Sequence, residues 1–158
     1  MVILMKKIIF LIFNFFSFLY SSENYTFLVK EYNKEIELEV KIISNIAENL
    51  IHKKEKVSLF ITEISDMEKT IYSGPFNLVN SCDEADFIYL RNNSDSQLCN
   101  INNKIYFTNN YDSLLKNDKF IGAFFWSKSR PNIGFVKNRL NKNNIKLPEI
   151  YEKFIEEF

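Results

Sequence analysis

Residues 126–132, WSKSRPN, place an indole beside a lysine and an arginine, and Phe124 and Phe125 lie directly before them. Such a grouping suits an anion, a sugar or the surface of another protein, because a cation over a ring face and a large rigid aromatic both supply contact energy. Trp126, Lys128 and Arg130 are therefore candidate binding residues, with Arg91 a fourth at the end of a separate apolar run. Phe124 and Trp126 share one face of a strand and Phe125 takes the other, so core packing is the competing use of these aromatics. Asp83, Glu84 and Asp86 are close enough in sequence to hold a cation or to pair as acid and base. No glycine-bearing calcium loop accompanies them, and a solvated strand entry is expected instead. His52, the single histidine, precedes Lys53 and Lys54 at the end of a helical pattern, where a basic group complements the helix dipole. There is no serine nucleophile elbow, no HExxH and no phosphate-cradling glycine loop. A non-enzymatic protein without cofactor or metal is the expectation.

Cys82 and Cys99 are the whole cysteine complement. In an oxidising compartment an even pair reads as one disulfide, and a reactive thiol is the alternative. Two cysteines and one histidine lack the spacing and the fourth ligand of a zinc site. The compartment follows from the first residues, MVILMKKIIFLIFNFFSFLYSS. Lys6 and Lys7 precede an apolar run over residues 8–20, interrupted only by Asn14 and Ser17, and Ser21 and Ser22 supply small residues. That layout predicts a secretory signal peptide over residues 1–22. The run is shorter than the ~20 residues of a spanning helix, and an uncleaved anchor is the alternative. Residues 23–158 would then be one exported domain, with no membrane contact after cleavage. The 20 basic residues balance the 20 acidic ones, so no global field draws nucleic acid or an anionic membrane.

The elements that position these residues follow from periodicity. Ile36, Val40, Ile43, Ile46, Ala47 and Leu50 recur at spacings of three and four, opposite Glu37, Lys41, Asn45, Glu48 and Asn49, which predicts an amphipathic helix. A β-branched and aromatic run from Val57 predicts a strand. Asp66 to Gly74 reads as a short helix with Asp66 as its cap, followed after Pro75 by a short strand in FNLV. DFIYL (86–90) has the continuous apolar character of a buried parallel strand, and another strand starts at Lys104. YDSLLKND is a helical turn with Asp112 as candidate cap. Residues 120–126 and 133–136 form two strands of a hairpin, with Pro131 in the turn because it cannot donate to a ladder. Pro148 opens a last helix that carries Ile150, Phe154 and Ile155 on one face. The fold class is α/β: a single-domain sandwich, mostly parallel, with helices on both faces and a closing antiparallel hairpin. Cys82 and Cys99 each lie shortly before a strand, so parallel pairing of those strands would bring both thiols to one edge of the sheet.

In this order the chain resembles the YfiR-like periplasmic proteins. VKIISNIAENLI (40–51) is similar to the family's first helix, with Asn45, Ile46 and Ala47 in register. CDEADFIYL is comparable to its cysteine-then-strand segment, and IYFTNN (105–110) stands where the family carries a further strand. IGAFFWSKSRPNIGFVKN supplies Gly122, a hairpin, and Phe135 three residues before Asn138, although Gly-Ala replaces the family's double glycine. The resemblance implies a periplasmic regulatory protein that binds an inner-membrane signalling protein such as a diguanylate cyclase. It leaves a homo-oligomer open. The alternative is a small-ligand receptor of the envelope, with Arg91, Asn109, Asn110 and Arg130 lining a crevice at the carboxyl ends of the parallel strands.

Overall fold

Helix α1 (Ser22–Ile51) carries the predicted apolar stripe: Val40, Ile43, Ile46 and Ala47 are all buried. It stops at His52, whose left-handed backbone (φ 51°) lets its N–H reach the Glu48 carbonyl at 3.1 Å. That is a C-terminal cap normally made by glycine or asparagine. The computed structural model describes residues 22–92 and 99–157, so the predicted signal peptide lies outside the described residues up to position 21. The chain divides into two units between Glu37 and Leu38. The second holds the sheet. Among the described residues no helix is long and apolar enough to cross a membrane.

The sheet has seven strands in the order β2-β1-β3-β4-β5-β6-β7. They are β1 (Ser58–Ile61), β2 (Asn77–Leu78), β3 (Phe87–Leu90), β4 (Ile105–Thr108), β5 (Phe120–Ser127), β6 (Arg130–Val136) and β7 (Ile155–Glu156). Strands β2 to β5 pair in parallel, β5 and β6 pair antiparallel, and β6 pairs in parallel with β7. Between the strands lie α2 (Asp66–Tyr72) and α3 (Tyr111–Lys116), with α4 (Lys137–Lys142) and a 3-10 turn (Glu149–Phe154) after the hairpin. The chain winds from β1 outward to β2 and then from β3 through β5 in the opposite direction. The order therefore reverses between β1 and β3, as in doubly wound folds.

Every side chain of β3 is buried, which requires cover on both faces. On one face Phe87, Phe107 and Phe135 form a row with ring centroids 5.7 Å apart at each step, and Tyr151 continues it at 5.7 Å. The part of α1 from Leu38 onward lies against this face, since Tyr89 reaches Glu39. On the other face Ile88, Leu90, Tyr106, Ala123 and Val136 cluster with Leu114 of α3. Gly122 sits under the aromatic row. A Cβ there would stand 2.3 Å from the Phe107 ring and 2.8 Å from the Gly134 carbonyl oxygen.

Several boundaries differ from the expectation. The cap of α2 is Ser65, not Asp66: its hydroxyl accepts from Glu68 N–H while the Glu68 carboxylate accepts from Ser65 N–H, a reciprocal box. Asn110 rather than Asp112 caps α3, accepting from Ser113 N–H at 2.9 Å. The last helix is a 3-10 turn that buries Tyr151 and leaves Ile150 exposed, and Pro148 stands before it rather than at its first position. Pro131 lies inside β6 rather than in the turn. Its partner is Trp126, one step from the closing Ser127–Arg130 pair. That step is a non-hydrogen-bonded position of the ladder, so the missing N–H falls on the side away from β5. Strand β7 does not reach that far, since its partners on β6 are Phe135 and Val136.

Candidate functional site

The β5–β6 hairpin outruns its neighbours. Pairing of β4 with β5 ends at Thr108 and Ala123, so Phe124–Ser127 continue past the carboxyl end of β4. The overhang is firmly based. Phe124 is fully buried, and Phe125 on the opposite face packs on Tyr111 with centroids 4.9 Å apart. The Tyr111 hydroxyl donates to Glu156 of β7 at 2.7 Å, and that bond, with burial, raises the phenol's pKa. Trp126 stands edge-on to Phe124 at 5.8 Å and keeps 37% of its surface exposed. Of the predicted aromatics, Phe124 is core, Phe125 is partly buried on the opposite face and Trp126 is exposed.

Lys128 and Ser129 form the whole turn, both with left-handed backbone (φ 49° and 58°). A two-residue turn of this hand matches the twist of the strands but favours Asn-Gly, so lysine and serine cost about 1 kcal/mol each there. Lys128 and Arg130 are exposed at the tip, next to Trp126. Three of the four candidate residues are thus brought together.

Arg91 stands apart, two strands away in the sheet, at the carboxyl end of β3. It turns inward. Its guanidinium donates to Glu68 at 2.7 Å, with only 12% and 4% of the two side chains exposed. Burial alone would push the Glu68 carboxyl up, but the Ser65 hydroxyl and N–H and the Arg91 charge outweigh it and hold it below the usual range. Burial opposes the Arg91 charge, and Glu68 and Glu39 more than restore it. Beside this pair lies a group that sequence reasoning missed. Glu39 on α1 is 5% exposed and accepts from the Tyr72 hydroxyl at 2.7 Å and the Tyr89 hydroxyl at 3.0 Å. Burial first, and the Glu39 charge second, raise both phenols, which therefore stay protonated donors. The signal in the sequence was an acid at position 39, inside the apolar stripe between Ile36 and Ile43.

The crevice foreseen at the carboxyl strand ends is crossed by loop contacts. Asn109 accepts from Asn92 N–H, the Asn92 amide donates to Glu63, and Asn110 is committed to capping α3. The acidic group is structural too. Asp86 accepts from Lys53 at 2.8 Å and from Ser58 N–H at 2.9 Å, tying the entries of β1 and β3 together. Its carboxyl is pushed up by burial and pulled further down by Lys53 and Ser58.

Cys82 and Cys99 form a disulfide, Cα atoms 5.8 Å apart, at the amino-terminal edge of β3 and β4. The parallel pairing of those strands places them there. The Cys99 carbonyl accepts from the Tyr106 hydroxyl at 3.2 Å. Replacing both cysteines by serine is expected to lower the unfolding free energy by about 3 kcal/mol, read as a fall in the urea midpoint, because the unfolded chain loses a 17-residue constraint.

No protein-family model matches the chain, and no curated protein matches it. A solved structure, a conserved domain protein from Vibrio cholerae O1 biovar eltor str. N16961, is similar over 77% of this chain, with a TM-score of 0.51 and 9% identity. The chain spans 59% of that neighbour's length. At this identity the likeness bears on the fold alone, and it agrees with a mostly parallel α/β sheet.

Proposed function

We propose that the chain is a non-enzymatic regulatory protein of the periplasm that binds the exported part of an inner-membrane signalling protein, of the diguanylate cyclase kind, through the tip of its β5–β6 hairpin. The observation that carries this reading is the overhang itself: Trp126, Lys128 and Arg130 are held out beyond β4 on a base locked by Phe124, Phe125 and Tyr111. An exposed indole beside an arginine is the residue pair on which binding energy concentrates at protein interfaces. Rigid support matters as well, since less freedom is lost on docking. A turn that keeps lysine and serine in a conformation suited to Asn-Gly is consistent with side chains retained for contact. The disulfide, the signal-like N-terminus and the resemblance of the chain to YfiR-like proteins support the compartment.

Crosslinking of the purified chain to its own envelope membranes, followed by mass spectrometry, tests the reading. One inner-membrane signalling protein is expected to be enriched, and Arg130→Glu is expected to weaken its capture about tenfold while the melting temperature stays unchanged. Equal capture by wild type and Arg130→Glu, or enrichment of no such protein, overturns it.

A further inference from the structure

We propose that the amino-terminal edge of the sheet binds a small organic anion carrying two or more phosphate or carboxylate groups. This site is at the end of the sheet opposite the hairpin tip and does not rest on the hairpin's role. Hollows of about 410, 440 and 550 Å³ open along this edge, and Lys142 at the end of α4 lines all three. The two larger ones also share Asn103, Lys104 and Asn143. Each is of the size that takes a small molecule.

The charge is segregated. The chain as a whole carries equal numbers of acids and bases, yet Lys104 and Lys142 line both larger hollows, Lys146 lines the 440 Å³ one and Lys119 the 550 Å³ one. Among the described lining residues the one carboxylate is Asp118, and Arg139 holds it at 3.1 Å. Arg139 is otherwise spent on the carbonyls of Leu114, Asn117 and Phe120, at 2.6 to 2.9 Å. Asp86 offsets part of the Lys104 charge, so the unbalanced positive charge belongs chiefly to Lys119, Lys142 and Lys146.

Two of these lysines are already oriented. The Lys104 ammonium donates to the Asp83 and Ala85 carbonyls at 3.0 and 2.6 Å. That of Lys119 donates to the Asn100 side-chain oxygen at 2.8 Å and the Cys99 carbonyl at 3.5 Å. An ammonium has three N–H donors, so each keeps one for a ligand and is held in place by the other two. Lys142 and Lys146 are exposed and add two further ammonium groups to the lining. A ligand with one anionic group would satisfy a single lysine; four lysines around two joined hollows call for at least two. Leu50, Ile105, Ile121 and Ile145 are among the residues lining the 440 Å³ hollow, which suits a ligand with a carbon skeleton between its charges. Three loops converge there with left-handed backbone, at His52, Asn103 and Asn144 (φ 51°, 62° and 55°).

Titration calorimetry of the purified chain with citrate and with inorganic pyrophosphate, at low salt, tests the site and separates carboxylate from phosphate. At least one anion is expected to bind with a dissociation constant below about 1 mM. The double variant Lys142→Gln, Lys146→Gln is expected to weaken it about tenfold, and Lys41→Gln with Lys153→Gln, which line none of these hollows, to leave it unchanged. The exposed positions of all four residues keep the fold out of the comparison. Absence of binding by both anions, or equal weakening by the two double variants, overturns the proposal.

Discussion

Arg91→Ala is expected to lower the unfolding free energy by about 3–5 kcal/mol at pH 7, more than any surface substitution, because it strands the carboxylate of Glu68 without its cation in a buried place. Glu68 is only 3% exposed, and Arg91 donates to it at 2.7 Å. The residue also joins two loops: its N–H reaches the Thr62 hydroxyl at 2.8 Å, and Thr62 follows β1. Urea denaturation across pH checks the origin of the loss. The folded pKa of Glu68 is below its ordinary value, so its contribution is present above the unfolded pKa and is lost as pH falls through the folded one. The gap between wild type and Arg91→Ala is therefore expected to narrow in acid, where a protonated Glu68 no longer needs the guanidinium. A gap that stays constant from neutral pH into strong acid would assign the loss to packing instead.

Gly122→Ala is expected to be the most damaging small substitution, costing about 3 kcal/mol through overpacking. The added methyl would enter the space of the Phe107 and Phe135 rings and of the Gly134 carbonyl. Each ring is packed on another at 5.7 Å, so neither has room to retreat. Gly134→Ala is the internal control. Its nearest atom is the Glu156 carboxylate at 3.4 Å, the far end of a flexible side chain, and a loss under about 1 kcal/mol is expected. Thermal melts of the two variants side by side decide the matter, and similar losses would contradict the packing account.

Elements whose period is long or whose apolar run is dense were legible in the sequence. Helix α1 announced itself by spacing, β3 by a continuous apolar run, and the edge position of the two cysteines by their place before β3 and β4. Features set by distant partners were not. Glu39 stands out in an apolar stripe, yet its donors Tyr72 and Tyr89 lie 33 and 50 residues away. The same distance problem hid Arg91, which reads as an exposed cation until Glu68 is placed beside it. Ser65 and Asp66 are both good caps, and only the acid three residues after Ser65 distinguishes them, a signal that was available. Helix α4 holds one buried apolar residue, Leu140, and β7 has two residues, too little pattern for either to be read. The lysine-lined edge joins the end of α1, the approach to β4 and the segment after α4, so no single stretch of sequence displays it.

The position of Pro131 has a consequence for how the hairpin can recognise anything. Among the described residues, Arg130–Gly134 have β5 on one side and no strand of the sheet on the other. Such a free margin invites another chain to add itself by main-chain bonding, whether a second molecule in concentrated solution or an extended peptide. The proline removes an N–H on that margin, and Lys128 and Arg130 place like charges near its end. Stacking of hairpin on hairpin and enrolment of an eighth strand are thereby discouraged, which leaves the side chains of the tip as the better placed means of contact.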